Sequence, residues 1–433
     1  MKNISTSRDF ALSLDAADPL AHFHTEFESP DPALCYMDGN SLGRLPRRTA
    51  ARLHQTIKDE WGQSLIRGWN QGWYTAPARI GDKIGKLLGA DAGQVIVSDS
   101  TSVNLYKLVH AALQINPERR NIVTDNLNFP SDIYILQGIA ASHTPPLEIR
   151  VFDAQSLIET ELQSEEQPSA LPSALSALID EQTALVTLSH VAFKSGYLYD
   201  MAEITRQAHA KGALVLWDLS HSAGVIPIEL DAWEVDFAIG CTYKYLNGGP
   251  GSPAFLYVNR RLQEQTCSPI WGWFGQNQPF DFELEYTPAP GIARFLAGTP
   301  PILSLAGVET GVEIVLEAGI TAIRQKSVAL TEYFLCLAEQ TLTGQGFTPG
   351  SPRNPARRGS HISLRHPAGY RINRALIENM NVLPDFRAPD TIRFGLAPLY
   401  TRFLDVWETI QRLQRVMNEA RWQTYSETRA SVT

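Results

Sequence analysis

Cysteine is scarce in this chain, basic residues are outnumbered, and no apolar run is long. Four cysteines, Cys35, Cys241, Cys267 and Cys336, are spread through 433 residues. None forms a C-x-x-C pair or a metal-ligand spacing, so a disulfide scaffold, a zinc site and a dithiol redox centre are excluded as organising devices. Reduced, partly buried thiols and no metal are expected. Lysine and arginine number 37 against 46 aspartates and glutamates, a net charge of −9. That balance gives no electrostatic footprint for nucleic acid. The local cluster Arg353, Arg357 and Arg358 reads as a solvated loop or an anion site. No apolar run approaches the ~20 residues that cross a bilayer. Met1 to Leu20 mixes charged and apolar residues without a signal-peptide core. A soluble, cytoplasmic protein without membrane or nucleic-acid partners is the expectation.

What is present is an ordinary globular composition, 44% hydrophobic and 19% charged, in a chain long enough for a large core and a second lobe. From Val95 onward, short apolar runs alternate with helical patterns. Strands are expected at Val95–Val97, Asn121–Thr124, Leu147–Phe152, Ala184–Ser189, Ala213–Trp217 and Phe237–Tyr243. Such alternation predicts an α/β fold, a mostly parallel sheet flanked by helices. Helical periodicity also covers about Pro46 to Trp61 and Ala78 to Leu88. Gln163 to Ser173, rich in Glu, Ser, Gln and Pro, reads as a surface insertion. A long helical region, about Leu303 to Gln340, follows Pro300-Pro301 and links two lobes. The expected division is an N-terminal arm (1–45) joining the small domain, a large domain (46–302), and a linking helix with a smaller C-terminal α+β domain (303–433).

Two charged residues stand just past apolar runs: Asp218 after Ala213–Trp217, and Lys244 after Phe237–Tyr243. The carboxyl ends of parallel strands are where α/β folds bind ligands. A bare Asp and Lys would be better read as a salt bridge. The context changes that reading. Asp218 runs into Leu219-Ser220-His221-Ser222-Ala223-Gly224, and Lys244 into Tyr245-Leu246-Asn247-Gly248-Gly249-Pro250-Gly251, a turn that lets backbone approach a ligand. An acid and an amine so placed suit pyridoxal 5'-phosphate. The amine condenses with the aldehyde, and the acid keeps the pyridine nitrogen protonated.

A cofactor phosphate needs backbone N–H groups and hydroxyls, and Thr101 and Ser102 lie at a predicted helix N-terminus. Taken alone they are capping residues; beside Lys244 a phosphate contact is the better account. Phe129, in Phe129-Pro130-Ser131-Asp132, either covers the cofactor ring or packs in the core. Arg393, in the apolar strand Thr391-Ile392-Arg393-Phe394-Gly395, needs a partner if buried. An Asp or Glu within the fold is one option, and a substrate carboxylate is the one preferred here.

Together these residues resemble the kynureninase family, pyridoxal-phosphate enzymes of the aminotransferase-like (fold type I) superfamily. The resemblance runs through Gly39-Asn40-Ser41-Leu42-Gly43, Thr101-Ser102-Val103-Asn104-Leu105, Phe129-Pro130-Ser131-Asp132, Asp218-Leu219-Ser220-His221, Tyr243-Lys244-Tyr245-Leu246-Asn247, Gly272-Trp273-Phe274-Gly275 and Pro300-Pro301-Ile302. It is closer to the bacterial members, notably from Trp61 to Trp73. It implies that Lys244 carries the cofactor and Asp218 faces its ring nitrogen. Thr101, Ser102, Tyr243, Trp273 and Thr299 match positions around the phosphate, and Phe129 matches the ring-stacking position. Asp132, Ser189 and His221 match others in the pocket. Arg393 matches the carboxylate clamp, with Asn40 and Ser41 as further substrate-side candidates. Thr299 departs from relatives that carry Asn there; both side chains hydrogen-bond a phosphate. Trp273 and Thr299 serve a site formed with the neighbouring subunit, which implies a homodimer. The implied reaction is hydrolysis of L-kynurenine, and possibly also 3-hydroxykynurenine, to anthranilate and L-alanine in tryptophan degradation. Lys244 takes the α-proton, and Tyr243 is a candidate proton donor.

Rival readings are weaker on the residues. A cysteine desulfurase uses a loop cysteine late in the chain, whereas Arg357-Arg358-Gly359-Ser360-His361 has none and Cys336 falls on a predicted helix. An aminotransferase would require a keto acid. A non-catalytic scaffold would need none of Lys244, Asp218 and Arg393. Gly248-Gly249-Pro250-Gly251 does not open a first βαβ unit, which disfavours a dinucleotide-binding dehydrogenase.

Overall fold

The computed structural model describes residues 4–162 and 171–428. Strand β1 (Cys35–Tyr36) ends the N-terminal arm. The large sheet holds β2 (Val95–Val97), β3 (Asn121–Asp125), β4 (Glu148–Phe152), β5 (Thr183–Ser189), β6 (Leu214–Asp218), β7 (Phe237–Gly240) and β8 (Phe255–Val258). Its order is β2-β8-β7-β6-β5-β3-β4. The run from β7 to β4 is parallel, and β8 is antiparallel to both β7 and β2. A single antiparallel strand inside a parallel sheet keeps the expected class.

Alternate residues of these strands feed two cores. Val123, Val186, Val215, Trp217 and Ala238 join one apolar cluster. Ile122, Leu185, Leu214, Leu216, Phe237 and Ile239 join the other, on the opposite face. Successive side chains point to opposite faces, so a strand covered on both sides reads as a continuous apolar run. Each such side chain contributes about 1.5–3 kcal/mol on burial.

Beyond the sheet, β9 (Thr348–Pro349), β10 (His361–Arg365), β11 (Val382–Leu383), β12 (Asp385–Arg387) and β13 (Thr391–Gly395) follow. Four of them form a second sheet in the order β12-β13-β10-β9, while β11 pairs in parallel with β1. Phe334, Leu337, Ile362, Ile392, Phe394, Val406 and Ile410 are among its core residues, together with Ala11, Cys35 and Met37 from the arm.

Several expected elements differ in detail. The helical region expected from Leu303 to Gln340 is two helices, Ile302–Ala318 and Ile320–Thr341. Gly319 separates them at φ +76, a conformation that ends a helix and suits glycine. The first of the pair contributes Leu305, Val308, Val312 and Val315 to the large-sheet core, and Ile323 of the second still belongs to it. The expected strand through Tyr243 stops at Gly240. Cys241 N donates to Ser220 Oγ (3.1 Å) and Thr242 Oγ1 to the Pro253 carbonyl (2.7 Å). Those bonds draw the chain out of the ladder and into the lysine turn. The Pro46–Trp61 helix is α-helical over Arg47–Gln55 and π-helical over Thr56–Ser64. Of the expected surface insertion, 163–170 lies outside the described residues, and its end opens the short helix Leu171–Ser176. The arginine cluster is not simply a solvated loop: Arg358 is fully buried and paired with Glu332.

Helix Ile302–Ala318 meets the lysine turn through Gly311, where an added Cβ would overlap the Leu246 carbonyl and crowd Asn247. Gly311→Ala is expected to cost about 1–3 kcal/mol through overpacking. Thermal melting checks it, and an unchanged midpoint would show that this contact does not fix the turn.

Candidate active site

Three parallel strands end side by side. Ser189 and Asp218 are register partners at the ends of β5 and β6, and Asp218 pairs with Ile239 of β7. After β6 the chain turns back on itself: Ser220 N donates to Asp218 Oδ1 (2.8 Å). This turn delivers His221 to Lys244, with Nε2 at 2.9 Å from Lys244 Nζ. Phe129 caps the helix Pro130–Ser142, and its ring centroid lies 6.0 Å from Lys244 Nζ. Asp132 is buried in the first turn of that helix. Ser189 Oγ donates to Asn128 Oδ1 (2.7 Å). Lys244, His221, Asp218, Asp132, Ser189 and Phe129 are thus gathered into one crevice.

Burial governs the charges there. It lifts the Asp132 carboxyl well above the ordinary carboxylate value, and the Asp218 charge adds to the rise. It lifts Asp218 as well, against the pull of Ser220 and Lys244. Two acids in one dry site do not both ionise readily. Burial, and then the Lys244 charge, hold His221 well below its usual value. A neutral imidazole thus stands against Lys244 Nζ, with the donor of that bond set by the ring tautomer. Tyr243 sits beside Cys241, whose negative form and burial push the phenol up. At neutral pH Tyr243 keeps its proton and is a donor.

The second half of the site comes from the small sheet and the arm. Arg393 is not an unpaired cation waiting for a substrate. Its Nε donates to Asp385 Oδ1 (2.7 Å) and its Nη2 to Asp385 Oδ2, so the within-fold acid is real. Nη1 donates to the Phe193 carbonyl (2.5 Å), and Nη2 also reaches Ser41 Oγ (3.1 Å). Asp385 is held below its ordinary value despite burial, through the Arg393 hydrogen bonds and charge. Asn40 is fully buried with neither amide atom hydrogen-bonded. His361, also buried, has both ring nitrogens without a partner, and its ring lies 5.5 Å from that of His221. It therefore stands where the two halves meet.

The remaining expected residues are placed as follows. Thr101 and Ser102 open the helix Thr101–Ile115, capped by Ser100, whose side chain accepts from Val103 N. Trp273 is 41% exposed and packs edge-on against Phe274 and Phe280. Thr299 is exposed as well. His361, Asp385, Asp38 and Phe193 were not singled out by sequence. A signal for Asp385 existed: a hairpin through Ala388-Pro389-Asp390 places it directly opposite Arg393.

Comparison with known proteins decides among the superfamily readings. A family described as Aminotransferase class-V matches residues 36–366, and one described as Kynureninase C-terminal domain matches residues 323–413. The chain is 44% identical over 433 residues to a kynureninase of Burkholderia pseudomallei (strain K96243), covering 99% of this chain and 100% of that one. It is 44% identical over 434 residues to a kynureninase of Pseudomonas fluorescens, with the same coverage. The chain belongs to the kynureninase family. Among solved structures, the cystine C-S lyase C-DES in complex with cysteine persulfide superposes with a TM-score of 0.75 at 19% identity, over 88% of this chain and 98% of that one. The apo cysteine desulfurase of Thermococcus onnurineus NA1 gives 0.74 at 16% identity, over 97% and 100%. These two share the fold.

Kynureninases are pyridoxal-phosphate enzymes, and this crevice fits the cofactor. Lys244 offers the amine, and the paired acids Asp132 and Asp218 suit a protonated ring nitrogen. Phe129 offers a ring face, and the helix opening at Thr101 and Ser102 offers N–H groups and hydroxyls for a phosphate. Among the described residues no group of three or more His, Cys, Asp or Glu is arranged to hold a metal ion. No helix among them is long and apolar enough to cross a membrane.

Asp38, next to the clamp, is pushed up to about 7 by burial and then by the Asp385 charge, against Ser41, Arg393 and Arg387. Its native value therefore exceeds its unfolded one. The stability it lends is full below about pH 4 and is lost as pH rises through about 7. Asp38→Asn, which mimics the protonated form, should become more stable relative to wild type as pH climbs from about 4 to about 7, then hold a constant margin. Melting curves across that range check this, and a margin independent of pH would contradict it.

Proposed function

We propose that the chain hydrolyses L-kynurenine to anthranilate and L-alanine with pyridoxal 5'-phosphate, and that 3-hydroxykynurenine is a second substrate. The observation that carries this reading is full-length identity of 43–44% to kynureninases, combined with the convergence of Lys244, His221, Asp218 and Asp132. A desulfurase is disfavoured because the four cysteines lie elsewhere: Cys35 and Cys241 are buried, while Cys267 and Cys336 are partly exposed. None of them is on the loop from Arg357 to His361.

When bound, the cofactor supplies an electron sink that stabilises carbanions next to the substrate amine. The protein's part is positioning and proton transfer. Lys244 would hold the cofactor and is the base placed to take the α-proton, with neutral His221 beside Nζ orienting the amine. Asp218 holds a proton on the ring nitrogen, and Asp132 shares the negative charge of that corner. Phe129 limits the ring's tilt from one side. Arg393 and Ser41 receive the substrate carboxylate, with Asn40 beside them. Water adds to the γ-carbonyl, the Cβ–Cγ bond breaks to release anthranilate, and Tyr243, protonated at neutral pH, donates its proton to the β-carbon left behind. Thr101 and Ser102 bind the phosphate.

Trp273 and Thr299 act on the phosphate of a neighbouring subunit in a homodimer. Supporting this is an exposed apolar patch around Trp273, with Trp271 at 68%, Phe280 at 54% and Phe282 at 75% exposure. Patches of this kind mark interfaces.

The reaction is tested by incubating cofactor-loaded protein with L-kynurenine and, in parallel, 3-hydroxykynurenine. Anthranilate from the first and 3-hydroxyanthranilate from the second, each with an equal amount of alanine and without a keto acid, are expected, whereas a keto-acid requirement would reassign the protein to transamination. Asp218→Asn should retain cofactor and lose about 100-fold or more in kcat, since each unit of ring-nitrogen pKa is ~1.4 kcal/mol. Tyr243→Phe should lose roughly 100-fold if the phenol donates; full turnover with cofactor bound would remove that role.

A further inference from the structure

The guanidinium of Arg393 has two edges able to grip a carboxylate. Its side edge, Nε with Nη2, is closed by both oxygens of Asp385, and Asp385 is anchored by Arg387 Nη2 as well (2.8 Å). Its outer edge, Nη1 with Nη2, is held by the Phe193 carbonyl and the Ser41 hydroxyl. The two edges differ in kind. Asp385 is an ionised partner, 1% exposed at its side chain against 2% for Arg393, and breaking a buried ion pair leaves a charge uncompensated. A carbonyl and a hydroxyl are neutral acceptors that a carboxylate outcompetes. The outer edge also faces the crevice: Phe193 stacks edge-on against Phe129 at 5.3 Å, and Phe129 lies beside Lys244.

We propose that Asp385 is a positioning residue for the carboxylate clamp, closing the side edge of Arg393 so that only the outer edge receives the substrate's α-carboxylate. This deepens, and rests on, the kynurenine-cleaving reading. On Arg393 the carboxylate replaces the Ser41 oxygen and the Phe193 carbonyl, the Ser41 hydroxyl donates to it in place of Asp385 Oδ2, and the Asp385–Arg393 pair persists through binding. The register pairing of Asp385 with Arg393 across β12 and β13 sets the guanidinium plane before any ligand arrives. Binding then needs no rotamer search by a long side chain.

The test uses holoenzyme carrying Asp385→Asn, with L-kynurenine as substrate and its decarboxylated amine as competitive inhibitor. KM for L-kynurenine is expected to rise about tenfold or more with kcat within about threefold, and the inhibitor constant of the carboxylate-free amine to stay unchanged. Equal weakening of both ligands would reveal a merely structural role and overturn the proposal. A lowered KM would show Asp385 to be a competitor of the substrate, and would also overturn it. Should the variant fail to fold, wild-type holoenzyme crystals soaked with L-alanine read the same point. Asp385 still on Nε and Nη2, with the alanine carboxylate on the outer edge, supports the proposal; alanine on the side edge with Asp385 displaced sinks it. Because the soak reads clamp geometry directly, wild-type inactivity on L-kynurenine would count against the proposed reaction alone.

Discussion

Holding a lysine amine and two carboxyls in one crevice from which water is largely excluded is the constraint on which the rest of the structure depends. Charges cannot be left in such a place without partners. Asp132 and Asp218 meet that cost by rising in pKa, and His221 meets it by remaining neutral. The parallel strands β5, β6 and β7 are what bring the groups together, because strands that start on one side of a sheet finish on the other. The apolar layers on both faces make that finish rigid. Two buried acids at neighbouring positions leave a corner in which a cation would be favoured.

The carboxylate-binding half obeys the same logic through another route. There the small sheet neutralises Arg393 with Asp385 and leaves a second acid, Asp38, lifted towards neutrality. Arg387 and Arg393 both lean on the one ionised acid, Asp385, which leaves the corner short of negative charge. The arm contributes Asp38, Asn40 and Ser41, and the arm strand β1 pairs with β11 of the small unit. The site is therefore assembled from segments far apart in sequence, with Phe193 and His361 lying where the halves touch.

Much of this was legible in the residues, and the limits have physical causes. Strands β2 and β6 are near-continuous apolar runs, and β3 and β5 carry apolar centres, because both faces are covered, so their positions stand out within a residue or two. Asp218 and Lys244 stand out because each charge ends such a run. The strand through Tyr243 was overextended because Cys241 and Thr242 leave the ladder through side-chain bonds to Ser220 and Pro253, which an apolar pattern does not encode. Gly319 lay within a helical pattern on both sides, and only its positive φ marks the break. An acid within the fold is one of the two partners the sequence offers Arg393, and the register across β12 and β13 fixes it as Asp385. His361 was read only as part of a loop without cysteine, since burial with both nitrogens unpaired has no sequence signature.

The central claim is that Lys244 is the residue to which the cofactor is joined. Borohydride reduction of the yellow holoenzyme, followed by proteolysis and peptide mass mapping, tests it most directly. A pyridoxyl mass on the peptide containing Tyr243-Lys244-Tyr245 is the predicted result. The same modification on another lysine, with Lys244 unmodified, would contradict the account of the site.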